Sequence, residues 1–158
     1  MRTRSGDGVA AVEIRRATLA DLDILVPLFD AYRRFYRQAG DLSGARRFLE
    51  DRLVRGESAV FLAFRGGRAI GFVQLYPSFS SGSMAKIVVL NDLFVDPENR
   101  RCGVGAALID AAAGYARDMG AVRMVLSTEL TNTAAQALYE KSGWERDTVF
   151  CVYRYSLD

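Results

Sequence analysis

Residues 91–115 read Asn91-Asp92-Leu93-Phe94-Val95-Asp96-Pro97-Glu98-Asn99-Arg100-Arg101-Cys102-Gly103-Val104-Gly105-Ala106-Ala107-Leu108-Ile109-Asp110-Ala111-Ala112-Ala113-Gly114-Tyr115, and this stretch decides the fold. The apolar, β-branched run 87–90 feeds into it and carries strand character through Val95. Asp96 to Asn99 then bends the chain, because Pro97 fixes φ and its polar neighbours favour turns. From Ala106 to Met119 the composition forms helix, with Ala107, Leu108, Ala111, Ala112 and Tyr115 as its apolar side. A strand therefore runs through a basic, glycine-containing loop into the first turn of a helix.

Such a junction attracts anions. The first turn of a helix has unpaired N–H groups and about half a positive charge. Gly103 and Gly105 let a diphosphate approach the backbone, and Arg100 and Arg101 add formal charge. A glycine pair alone would fit a plain helix entry better than an anion site. A P-loop requires Gly-Lys-Ser/Thr, which is missing, and a dinucleotide fingerprint requires glycine near position 108, where this chain has Leu108.

The remaining pattern, Arg100-x-x-Gly103-x-Gly105, resembles the acetyl-CoA loop of the GNAT acetyltransferases, Gln/Arg-x-x-Gly-x-Gly/Ala, over residues 12–157. A second segment, Asn132-x-x-Ala135-x-x-x-Tyr139-x-x-x-Gly143-Trp144, is similar to the family motif Asn-x-x-Ala-x-x-x-Tyr-x-x-x-Gly-Trp/Phe. The resemblance implies a mixed α/β fold. Its sheet would be mostly antiparallel, with six to seven strands and about four flanking helices. A V-shaped split would separate the fourth and fifth strands, here 86–95 and 122–128, and hold the pantetheine arm of acetyl-CoA.

The resemblance also distributes roles. Arg100, Arg101, Cys102, Gly103, Val104, Gly105 and Ala106 would hold the diphosphate, and Leu93, Phe94 and Val95 would pair with pantetheine like an added strand. Asn132 and Ala135 would touch the cofactor, a bulge near Asp92-Leu93 would aim the Leu93 N–H at the thioester oxygen, and Tyr139 would protonate the leaving thiolate. Free phenol and thiol titrate near about 10 and about 8.5, so such a tyrosine stays protonated at neutral pH. Without the motif, Tyr139 would read as a ring packed beside Trp144. Cys102 sits where a helix N-terminus favours thiolate, but in a variable position of the loop, and direct transfer needs no acyl-enzyme.

The chain has no histidine, so the general base is a carboxylate, a water, or none at all. In the polyamine-acetylating branch a glutamate precedes the aspartate of this strand; here that place is Asn91, leaving Asp92, Glu129 or a water chain. Asp92 could equally be a strand-end residue bonding to nearby backbone. Tyr32, Tyr36, Tyr76 and Phe79, with Asn91 and Glu129, form the expected acceptor site, and an aromatic wall suits an organic cation. The bland reading of Tyr32 and Phe35 is helical core. Residues 28–36 and 75–81 look like the histone-and-polyamine branch, which implies a primary amine on a small molecule or a lysine-bearing peptide. Two rivals stand beside that reading: an acetyltransferase of protein N-termini or lysines, and a non-catalytic acyl-CoA sensor. Family members often dimerise through their last strands, which carries a homodimer over as an expectation.

The whole chain agrees with a globular enzyme. Its 158 residues suit one domain, 12–158, behind a disordered 1–11. Half the residues are hydrophobic and the net charge is +2, which gives no argument for nucleic acid. No stretch has spanning length and residues 1–10 lack a signal core, so a cytoplasmic address without membrane partner is expected. Two distant cysteines match no disulfide or metal pattern.

Before the central stretch, a strand is expected at 12–16, then a helix opened by Thr18 and Asp21 and kinked or split at Pro27. A second helix, 45–55, would be capped by Ser43, and strands 58–64 and 68–76 would meet at the Gly66-Gly67 turn before a loop from Pro77 to Ser83. After it come a helix from Ala134 to Ser142 and closing strands at 144–145 and 149–156.

Overall fold

The computed structural model describes residues 10–157, so most of the expected disordered N-terminus lies outside the described residues. Two compact units result, one ending at Ser127 and the other beginning at Thr128. In the first unit β1 (Val12–Arg16) leads through a 3-10 turn (Leu19–Asp21) to α1 (Leu22–Phe35) and α2 (Leu42–Val54). Then come β2 (Ala59–Arg65), β3 (Arg68–Ser80), β4 (Ala85–Val95), a 3-10 turn (Pro97–Asn99), α3 (Val104–Asp118) and β5 (Met124–Val125). The sheet order is β1-β2-β3-β4-β5, antiparallel up to β4, with β5 parallel to β4.

Period-2 alternation assigns the faces. Val60, Leu62, Phe64, Phe72 and Phe94 pack with Leu22, Leu25, Phe29 and Leu49 of α1 and α2 in one core. Phe61, between two of these, turns to the other face, where its ring meets Tyr115 of α3 at 6.0 Å. Asp21 plays the glutamate part of a capping box, accepting the Thr18 N–H at 2.8 Å and two bonds from Arg15 at 2.7 and 3.0 Å. α1 continues through Pro27 without splitting. The cap of α2 is Asp41 rather than Ser43: its carboxylate accepts the Gly44 N–H at 2.8 Å.

The β2–β3 hairpin turns on Gly66 (φ 56°) and Gly67 (φ 78°), both left-handed as a two-residue primed turn requires. Gly71 marks a close backbone approach, since a Cβ there would lie 2.6 Å from the Phe94 carbonyl oxygen. β3 extends to Ser80, through the expected loop. Proline is tolerated because Pro77 lies beyond the last β2 pairing, Ala59 with Leu75, where no partner asks for its missing N–H.

The sheet has five strands among the described residues, not six to seven. Residues 144–145 are tied back to α4 (Thr133–Lys141), with the Trp144 N–H donating to the Tyr139 carbonyl at 3.0 Å. Ahead of the expected last strand, Asp147 accepts the N–H groups of Val149 and Phe150 at 2.8 and 2.9 Å and bends the chain. Val152, Tyr153 and Tyr155 beyond it are over four-fifths exposed. Alternation supplies strand character, but a strand exists only where a ladder partner takes its backbone groups.

Candidate active site

Between β3 and β4 the register slips: Gln74 opposes Asp92 while Leu75 opposes Leu90, so Asn91 is an extra residue without a partner. This is the bulge expected in this strand, centred at Asn91 rather than at Asp92-Leu93. It leaves Asn91 exposed and puts Leu90 and Asp92 both inside. A bulge also bends its strand. β4 pairs with β5 only at Val88 and Val89, so residues 90–95 have no strand partner on that side among the described residues. The sheet opens there, which is the split expected between the fourth and fifth strands.

Asp92 is 4 % exposed. Gln74 Nε2 donates to its Oδ2 at 2.6 Å and Asn91 Nδ2 to its Oδ1 at 2.9 Å, with Tyr32 a third hydrogen-bond partner. Burial pushes the carboxyl above the ordinary range, and these three bonds pull against it by favouring the charged form. The neighbouring Tyr76 phenol is pushed up to about 12, first by burial and then by the Asp92 charge.

Asp92 sits in the wall of a cavity of about 400 Å³ lined by Phe29, Tyr32, Arg33, Asp41, Gly44, Ala45, Phe48, Tyr76 and Asn91. Tyr32 and Tyr36 meet edge to face at 5.0 Å, and Phe29 stacks on Phe48 at 5.8 Å. Expected acceptor residues Tyr32, Tyr76 and Asn91 thus come together with Asp92. Tyr36 stands behind Tyr32 and is not part of the lining. Phe79 is not in the wall either: it pairs with Lys86 near the outer end of the hairpin and is 76 % exposed. Sequence reading missed Phe29, Phe48 and above all Gln74. The signal was there, since a glutamine inside the run Ile70-Gly-Phe-Val-Gln-Leu is a polar side chain where both faces are apolar.

At the α3 mouth Gly103 is left-handed (φ 78°), as is Arg101 (φ 60°). The Ala107 N–H returns to the Gly103 carbonyl at 3.0 Å, so the N–H groups of Val104, Gly105 and Ala106 precede the intrahelical ladder. A Cβ on Gly103 would meet nothing within 4 Å, which leaves that side open. These consecutive donors, with no carboxylate of the loop among them, suit the oxygens of a diphosphate. Leu93, Phe94 and Val95, on the unpaired edge of β4, suit an amide-bearing arm.

The Arg100 side chain turns away from the loop. Its Nε donates to the Val95 carbonyl at 2.9 Å, and its guanidinium lies 5.2 Å from the Phe35 ring and 5.7 Å from that of Phe94. Its work in the structure is to hold the strand end, although both it and Arg101 are exposed. Cys102 is exposed, its Sγ 3.4 Å from the Arg100 carbonyl.

In the second unit Asn132 caps α4, accepting the Ala135 N–H at 3.2 Å. Seven residues on, two helical turns, the half-buried Tyr139 ring lies 5.9 Å from Trp144. Glu129 is exposed, its carbonyl accepting from Gln136 Nε2 at 3.1 Å. Among the described residues no group of three or more His, Cys, Asp or Glu is placed to hold a metal ion, and no helix is long and apolar enough to cross a membrane.

Known proteins are similar to this chain in sequence and fold. A family model, "Acetyltransferase (GNAT) family", matches residues 25–144. Over 142 residues the chain is 49% identical to the uncharacterized N-acetyltransferase YhfO of Bacillus subtilis (strain 168), covering 90% of this chain and 95% of that one. A crystal structure of a probable acetyltransferase superposes with TM-score 0.88 at 43% identity, covering 92% of this chain and 98% of the other. An aminoglycoside N-acetyltransferase in complex with CoA shares the fold, with TM-score 0.80 at 24% identity over 92% of this chain and 95% of that one. With an open-edged β4 running into a glycine-gated helix mouth, and with these relatives, the chain belongs to the GNAT acetyltransferases and is an acetyl-CoA-dependent N-acetyltransferase.

Proposed function

We propose that the acceptor is a primary amine on a small organic cation of the diamine or polyamine kind, and that Asp92 is the general base. The observation that carries this reading is the bulge at Asn91, which sets a buried carboxylate in the wall of an aromatic cavity. Phe29, Tyr32, Phe48 and Tyr76 can face an alkylammonium group through their ring surfaces, and Asp41 at the rim adds a second negative charge. A lysine side chain offers the same chemistry and would enter the same cavity. The aminoglycoside-acetylating relative works on amine-bearing small molecules, which is consistent with this class.

When bound, acetyl-CoA supplies the acyl group as a thioester. The N–H groups of residues 101–106 would hold its diphosphate, and the free edge of β4 at Leu93, Phe94 and Val95 would hold the amides of its arm. The Leu93 N–H, next to the bulge, would serve the thioester oxygen. Asp92 takes the proton that the attacking amine nitrogen gives up; its raised value brings it nearer to neutrality, where a base works best. By its place in the Asn132 motif, Tyr139 would be the proton donor to the departing thiol.

The test is thiol release with a panel of diamines, polyamines, aminoglycosides and lysine peptides. Turnover on small amines is expected, with Tyr139→Phe lowering kcat by about a hundredfold. An enzyme that binds CoA yet releases no thiol with any amine would overturn the reading, and turnover on peptides alone would replace its substrate class.

A further inference from the structure

Gln74 is completely buried in β3, opposite Asp92 across the bulge. Its Nε2 donates to Asp92 Oδ2 at 2.6 Å, while its Oε1, also buried, has no hydrogen-bond partner. A buried carbonyl oxygen left unpaired is costly, and native proteins keep few of them without a reason. A primary amide is two-sided: one end donates, the other accepts, and a half-turn about χ3 exchanges them, because that terminal torsion is broad and roughly two-fold. A carboxylate can only accept, whereas a protonated carboxyl also donates.

We propose that Gln74 is the positioning residue of the acetyl transfer, bonding Asp92 in both states it passes through: by Nε2 to the carboxylate, and by the idle Oε1 to the carboxyl formed when the amine's proton arrives. The inference rests on Asp92 being the base. The proton moves from the acceptor nitrogen to an Asp92 oxygen, and Gln74 itself gains and loses nothing. It keeps the carboxyl aimed into the cavity while its partner changes charge.

Other groups facing Asp92 are placed differently: Asn91, the second primary amide bonded to it, is exposed, and Tyr32 is only half-buried. Tyr32 on α1 and Asn91 on β4 bond the charged form. Tyr76 on β3 feels the Asp92 charge, which Arg52 of α2 partly offsets. Arg33 and Asp41 line the same cavity. Of the groups bonded to Asp92, Gln74 alone is both wholly buried and half idle.

The experiment compares wild type, Gln74→Met, which keeps the volume, and Asp92→Asn. It reads kcat/KM for a diamine against pH and the Asp92 carboxyl by carbon-13 titration, assigned by difference from Asp92→Asn. The bond to the carboxylate is charge-assisted and stronger than the one to the neutral carboxyl. Gln74→Met, which loses both, therefore disfavours the charged base and should cost about tenfold in kcat/KM on the acid side. It should converge on wild type at alkaline pH, keep the acceptor KM within about twofold, and move the Asp92 titration to higher pH. A loss equal at every pH, with the Asp92 titration unmoved, overturns the proposal and leaves Gln74 a structural residue. If Asp92→Asn keeps the wild-type profile, the base assignment fails and takes the proposal with it. Gln74→Asn, whose amide is withdrawn by one methylene, is read by the same titration should the methionine variant not fold.

Discussion

At the scale of single residues, two buried carboxylates show how neighbours set opposite behaviour. Asp92 is raised by burial, so the fold prefers its neutral form. Its contribution to stability is full below the ordinary carboxylate range and is lost as pH rises through its raised value. The melting temperature of wild type relative to Asp92→Asn should therefore fall as pH increases, a comparison that thermal unfolding at several pH values checks. Asp21 is the reverse case, lowered to about 2, chiefly by its bonds to Arg15. Its stabilisation, about 2 kcal/mol, is present above the ordinary value and lost as pH falls toward about 2. Asp21→Asn should lose about that amount at neutral pH and little in strong acid, read by urea unfolding. The Asp21 role was legible as a capping pattern. That of Gln74 was not, because partnership across a slipped register depends on which residue the bulge skips.

Among the elements, the loop and helix from Arg100 onward were legible because turn, glycine and helix signals fall in one order. The left-handed Gly103 at the α3 N-cap makes this testable. Gly103→Ala should cost about 1 kcal/mol of stability and weaken CoA binding in calorimetry out of proportion to that loss. Gly71→Ala would press a Cβ against the Phe94 carbonyl, three residues from the bulge. It should destabilise by about 1–3 kcal/mol and lower turnover, which unfolding and thiol-release assays read separately. Helix caps were less legible, since Asp41 and Ser43 both suit the start of α2. In the fold the Asp41 N–H donates to Asp30 Oδ1 at 2.8 Å, a contact from α1 that the local sequence does not show. The length of β3 was hidden by Pro77, which reads as a breaker unless its edge position is known.

For the whole molecule, the mixed, mostly antiparallel sheet was expected from the family resemblance, and the early hairpins and late crossover fit the connection lengths. The strand total was not, because the alternation at 149–156 carries no information about a partner. Ligand linkage offers a global check: CoA at a hundredfold its Kd should stabilise the fold by about 2.7 kcal/mol, an increment that Gly103→Ala diminishes. The central claim is that a buried aspartate at a strand bulge accepts the amine's proton. The most direct test is kcat/KM for thiol release with a diamine, measured from about pH 5 to about pH 10 in wild type and in Asp92→Asn. The account predicts an acid limb in wild type, and in the variant a loss of about a hundredfold or more together with the disappearance of that limb. An Asp92→Asn enzyme with the wild-type limb and rate would contradict it.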